Sequence, residues 1–106
     1  MPKYLLDASY TPEGVKGLVA QGGSAREAAV REAVESVGGT LESFHFAFGS
    51  TDTYTVADLP DNTAAAALAL AITAVGAVTV RTVVLLTPEE IDAAAQATVT
   101  YTPPSG

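Results

Sequence analysis

Leu59-Pro60-Asp61-Asn62 closes a strand and opens a helix within four residues. Pro60 has no N–H to give to a ladder, while Asp61 or Asn62 offers a side-chain oxygen to the first free amides of a helix. This link joins two strand–helix–strand runs that fill the 106 residues and leave one face of the expected sheet bare. C-terminal to the link, a helix is expected to about Val75, stopped by Gly76. A Val- and Thr-rich strand follows over Ala77–Leu86. Thr87-Pro88-Glu89-Glu90 then reads as a capping box with Pro at the first helical position, opening a short helix to about Ala97.

On the N-terminal side, Asp52–Leu59 alternates Thr53, Thr55 and Ala57 against Tyr54, Val56 and Asp58, as a half-buried strand does. Gly49-Ser50-Thr51 turns it back onto a strand from Thr40 to about Phe48, making a hairpin. Gly38-Gly39 ends a helix over Ser24–Val37, which opens on a Ser24/Glu27 capping box and carries Val30, Val34 and Val37 at helical spacing. Arg26, Glu27, Arg31, Glu32 and Glu35 form its expected solvated face. Before it come a short helix from Pro12 to about Ala20, broken by Gly22-Gly23, and a first strand over Tyr4–Tyr10.

The resulting order is β-α-β-β-α-β plus a terminal helix, an α+β chain of ferredoxin-like type. It implies a four-stranded antiparallel sheet in the order 4-1-3-2 with the main helices on one face. Residues 1–97 are expected to form one domain, and 98–106 either a tail or an added edge strand. Placing Leu6, Ala8, Val80, Thr82 and Val84 under the helices puts Leu5, Asp7, Ser9, Thr79, Arg81 and Val83 on the other side. That mixture is too apolar for free solvent and too polar for an ordinary core, so a partner sheet with a pocket between is expected. The helix after the link is uncharged from Thr63 to Val75. Leu68, Ile72 and Val75 are expected to face the sheet, and Ala65, Ala66, Ala69 and Thr73 to make a smooth outer surface.

Composition narrows the function. There is no cysteine, which removes disulfides, thiolate metal sites and cysteine nucleophiles. Twelve Asp and Glu against five Lys and Arg give a net charge of −7, a surface that repels nucleic acid and anionic lipid. The longest apolar run, Ala64–Ile72, is too short for a bilayer, which takes about 20 residues. Met1-Pro2-Lys3 runs straight into a strand without a signal-peptide pattern, so a cytoplasmic location is expected. With one histidine, a transition-metal centre is not expected, and no other cofactor is indicated.

His45, in Phe44-His45-Phe46, is the one imidazole in the chain and the natural general acid or base; the alternative is a packed or exposed strand histidine. Asp7 and Arg81 fall on neighbouring strands and the same sheet face. The pair would either orient an anionic or carbonyl-bearing ligand or simply neutralise itself in a dimer core. Ser9, Tyr10 and Thr79 are expected near it as hydrogen-bond donors. Asp52 is either a ligand contact or a turn residue binding backbone amides.

Taken together, Tyr10-Thr11-x-Glu13-Gly14, Arg26, Gly38-Gly39-x-Leu41, Phe48-Gly49-x-x-Asp52, Leu59-Pro60-Asp61, Gly76-x-Val78 and Leu86-Thr87-Pro88-Glu89-Glu90 resemble the GYD domain family, from about Lys3 to Ala94. The resemblance implies a small ferredoxin-like unit related to the dimeric α+β barrels, in which two sheets pack face to face. The chain departs from the Gly-Tyr-Asp signature at one place, with Thr51 standing before Asp52. Two functional classes remain open. One is a homodimeric or higher homo-oligomeric binding or assembly protein with a small-molecule pocket between sheets. The other is a cofactor-free enzyme with His45 or Asp7 as base and Arg81 stabilising developing negative charge.

Overall fold

The computed structural model describes residues 1–47 and 49–105. In chain order the elements are β1 (Lys3–Tyr10), α1 (Pro12–Gln21), α2 (Gly23–Ser36), β2 (Thr40–Phe46), β3 (Thr53–Asp58), α3 (Asn62–Val75), β4 (Val78–Leu85) and α4 (Pro88–Gln96). The strands form one antiparallel sheet in the order β2-β3-β1-β4, the expected 4-1-3-2 order taken from its other edge. The two βαβ halves meet in the β2–β3 hairpin, so Leu59–Asn62 lies inside the second half. The expected end of the second strand at Phe48 lies outside the described residues. Residues 98–100 carry no helix or strand.

Local chemistry explains most boundaries. Thr11 caps α1, its Oγ1 accepting from the Gly14 amide. Asp61 caps α3, accepting from the Ala64 amide at 2.8 Å, and Gly76 ends that helix in the left-handed region at φ 84°. The Thr87/Glu90 capping box opens α4, with both reciprocal hydrogen bonds made. At α2 the expectation fails. Gly22, at φ 87°, takes the cap position two residues before Ser24, so Ser24 lies inside the first turn and makes no cap; Glu27 makes the i,i+4 pair with Arg31, at 3.2 Å, that their spacing allows.

The core lies between the sheet and α2 and α3. Tyr4, Leu6 and Ala57 of the sheet meet Val34, Leu59, Ala65 and Leu68, with Val30, Ile72 and Val80 around them. Each fully buried leucine contributes roughly 1.5–3 kcal/mol of transfer free energy. The Tyr4 hydroxyl, buried with its ring, donates to Asn62 Oδ1 at 2.6 Å, so the core is not left with an unmet donor. The α3 stripe runs Ala65-Leu68-Ile72. Ala65 is thus buried rather than part of an outer surface, and Val75 is 78% exposed.

Every residue of α4 is exposed. The radius of gyration, 16.8 Å, exceeds the ~13 Å of a compact chain of this length because α4 and the residues after it project from the body.

Candidate functional site

The sheet face turned away from α2 and α3 is ordered in rows set by the strand register. Val83, Leu5 and Val56 stand opposite one another across β4, β1 and β3. The next row runs Arg81, Asp7, Tyr54, His45 across all four strands. Thr79 and Ser9 form the row beyond. At the far end Lys3 bridges Glu42 at 2.7 Å and Asp58 at 2.9 Å. A bulge between Leu41 and Ser43 shifts the β2 register, which puts Leu41 and Phe44 under the helices and His45 on the bare face.

Asp7 is the fixed point of this face. Its Oδ2 accepts from Arg81 at 2.7 Å and its Oδ1 accepts from Thr51 Oγ1 at 2.8 Å. The Arg81 guanidinium first, and the Thr51 hydroxyl after it, hold the Asp7 carboxyl below its ordinary value. The same pair raises Arg81. Asp7 is nearly covered, its side chain 13% exposed, whereas that of Arg81 is 80% exposed. The carboxylate therefore acts as an anchor, and the guanidinium keeps donors free for something else.

Around the pair is an open hollow of about 330 Å³ lined by Asp7, Ser9, Ser50, Thr51, Thr79 and Arg81. The Ser9 hydroxyl donates to the Ser50 carbonyl at 2.9 Å, and the Thr79 hydroxyl to the Ser9 carbonyl at 3.3 Å. Asp7, Arg81, Ser9 and Thr79 are thus gathered as the alternation requires. His45 shares their row but stands two strands from Asp7, roughly 10 Å, with Tyr54 between them.

Tyr10 and Asp52 are placed elsewhere. Tyr10 has the parity of Leu6 and Ala8 and lies on the helix side, so it is not beside the Asp7–Arg81 pair. The Asp52 carboxylate accepts the Tyr10 amide at 2.8 Å, and its own amide donates to the Ala8 carbonyl at 2.9 Å. It ties the hairpin end to β1.

Three residues escaped sequence reasoning. Thr51, 6% exposed, is the second donor to Asp7; its signal was the departure from the Gly-Tyr-Asp pattern. Tyr54 follows from the β1–β3 register, which no linear pattern displays. Arg26 is not on a solvated face: its Nε is buried, and its guanidinium lies 5.9 Å from the centre of the Tyr10 ring. Among the described residues no three His, Asp or Glu side chains group as a metal site, and no helix is long and apolar enough to cross a membrane.

The model of the GYD domain family matches residues 4–95. The chain belongs to the GYD domain family. Neither a curated protein nor a solved structure matches it. Within this GYD domain the matched span runs from Tyr4 of the core through the Asp7–Arg81 row and into α4.

Proposed function

We propose that this GYD domain is a self-associating binding module whose bare sheet face closes on that of a second copy, enclosing a small anionic or carbonyl-bearing molecule held by Arg81. One observation carries the reading: a row of Val83, Leu5 and Val56 flanks the polar row on a face no packed helix covers. Val83 and Tyr54 are 45% and 42% exposed there. Burying such a face stabilises association, and the polar row would stay wet in the space between. The projecting α4, with Ile91 exposed on it and Leu86 exposed just before it, offers a second contact to the neighbouring copy.

Binding is favoured over catalysis by the state of Asp7. Both of its oxygens are occupied, and its carboxyl is held low, which makes it a poor base near neutral pH. His45 has no carboxylate or hydroxyl partner to orient it among the described residues, and it does not line the hollow.

Native mass spectrometry of the purified chain, before and after mixing with cell extract, tests both parts at once. The expected species is a multiple of the 10.7 kDa chain that retains a small molecule. Val83→Glu, which puts a charge in the apolar row, is expected to give single copies without the molecule. A wild-type chain that stays single at micromolar concentration would end the proposal.

A further inference from the structure

Four of the five Lys and Arg residues have an acidic partner: Lys3, Lys16, Arg31 and Arg81. Among the described residues Arg26 is the one without. Its guanidinium covers the Tyr10 ring within cation–π reach, yet its Nε is shut from solvent with no hydrogen-bond acceptor. Burying that one N–H without an acceptor is costly, and the terminal guanidinium nitrogens, which have no acceptor among the described residues, are the donors left open to an anion. In a chain of net charge −7 an own carboxylate would be easy to supply, yet Glu13, which lines the smaller cleft with Arg26, bridges Lys16 at 3.5 Å instead.

Arg26 also stands where two clefts meet. The larger, about 290 Å³, separates α2 from α3 and is walled by Ala33, Ala67, Leu68, Ala71, Ile72 and Val78. Its other polar side chain, Ser36, already donates to the Ala33 carbonyl at 2.6 Å. A smaller cleft of about 150 Å³ continues beneath α1 along Gly17 and Leu18. The α2–α3 cleft is therefore mainly apolar with Arg26 as its one charged side chain, while the cleft beneath α1 adds Glu13 and Gln21. A ligand that fits must be apolar along its body and anionic at one end.

We infer that Arg26 and the α2–α3 cleft bind a small carboxylic acid, its carboxylate on the guanidinium and its hydrocarbon body along Ala67, Ala71 and Ile72. The cleft is at the lower limit of small-molecule sites, about 300–1,000 Å³, so a body of a few carbons fits and a long acyl chain does not. Tyr10 and Arg26 lie on the helix side of the sheet, opposite the Asp7–Arg81 hollow, so the two sites stand or fall separately.

The test is amide NMR of the isotope-labelled full chain, titrated with hexanoate and with 1-hexanol as its neutral counterpart. Hexanoate is expected to give saturable shifts at Ala33, Ala67, Ala71 and Val78, and the alcohol to bind at least about tenfold more weakly. Arg26→Met is expected to cost a similar factor, while Arg31→Met, which removes the same charge from the exposed side of α2, leaves the affinity as it was. Ala71→Leu fills the cleft with Arg26 in place and is expected to abolish the shifts, which keeps the test decisive if Arg26→Met does not fold. The inference is overturned by non-saturating shifts, by shifts centred on the sheet face around Arg81, by equal binding of acid and alcohol, or by binding that survives both cleft variants.

Discussion

The Thr51 hydroxyl donates a 2.8 Å hydrogen bond to Oδ1 of Asp7, across 44 residues of chain. Thr51 stands before Asp52, where the Gly-Tyr-Asp pattern has its aromatic residue, and here that position reaches β1 through a hydroxyl. The bond leaves Oδ2 to Arg81 and so fixes the direction in which the guanidinium leaves the sheet.

Thr51→Val keeps the shape of the side chain and deletes the donor. The Asp7 carboxyl should then titrate higher than in the wild type while staying below its ordinary value, because Arg81, the larger cause of its depression, remains. Carbon-13 NMR of the Asp7 side-chain carboxyl measures this; an unchanged midpoint would mean that Thr51 does not act on the charge.

The same depression sets a pH dependence of stability. With the folded carboxyl below the ordinary 3.8, the unfolded chain takes up its proton first as pH falls. The stabilisation is whole above that ordinary value and is lost as pH falls through the folded one. Asp7→Asn lacks it at every pH. The melting-temperature gap between wild type and Asp7→Asn should therefore be wide at about pH 6 and shrink towards about pH 2.5; a gap independent of pH would refute the linkage.

Two glycines of α1 should respond in opposite directions to alanine. A Cβ on Gly14 would collide with the Ala77 carbonyl oxygen, a backbone atom that cannot swing aside, so Gly14→Ala should destabilise by about 1–3 kcal/mol. Nothing lies within 4 Å of a Cβ on Gly17, and Gly17→Ala should stabilise by roughly 0.5–1 kcal/mol through helix propensity. Urea denaturation of the two variants decides the matter.

Leu59, fully buried, is part of the core with Val34 and Ala57. Leu59→Ala should cost about 2–5 kcal/mol by the same denaturation measurement, with the loss rising as the cavity fails to collapse. A cost below about 1 kcal/mol would show that the link is not a core element.

Local chemistry made the element order legible. Thr11, Asp61 and Thr87 are caps whose partners lie within three residues, and Gly76 needs only its own backbone to end a helix. Strand alternation likewise placed Asp7, Ser9, Thr79 and Arg81 together, since period-two parity is a property of the chain itself. Gly22 also acted locally, capping α2 two residues before Ser24. The rest belonged to the tertiary structure. The β2 bulge set which face His45 takes, and the strand order stood it two strands from Asp7. Thr51 and Arg26 took their places from elements 44 and 16 residues away, Asp7 and Tyr10. Caps, turns and parity are short-range and are written in neighbouring residues. Which buried donor meets which acceptor depends on how distant elements pack, and no local pattern contains that distance.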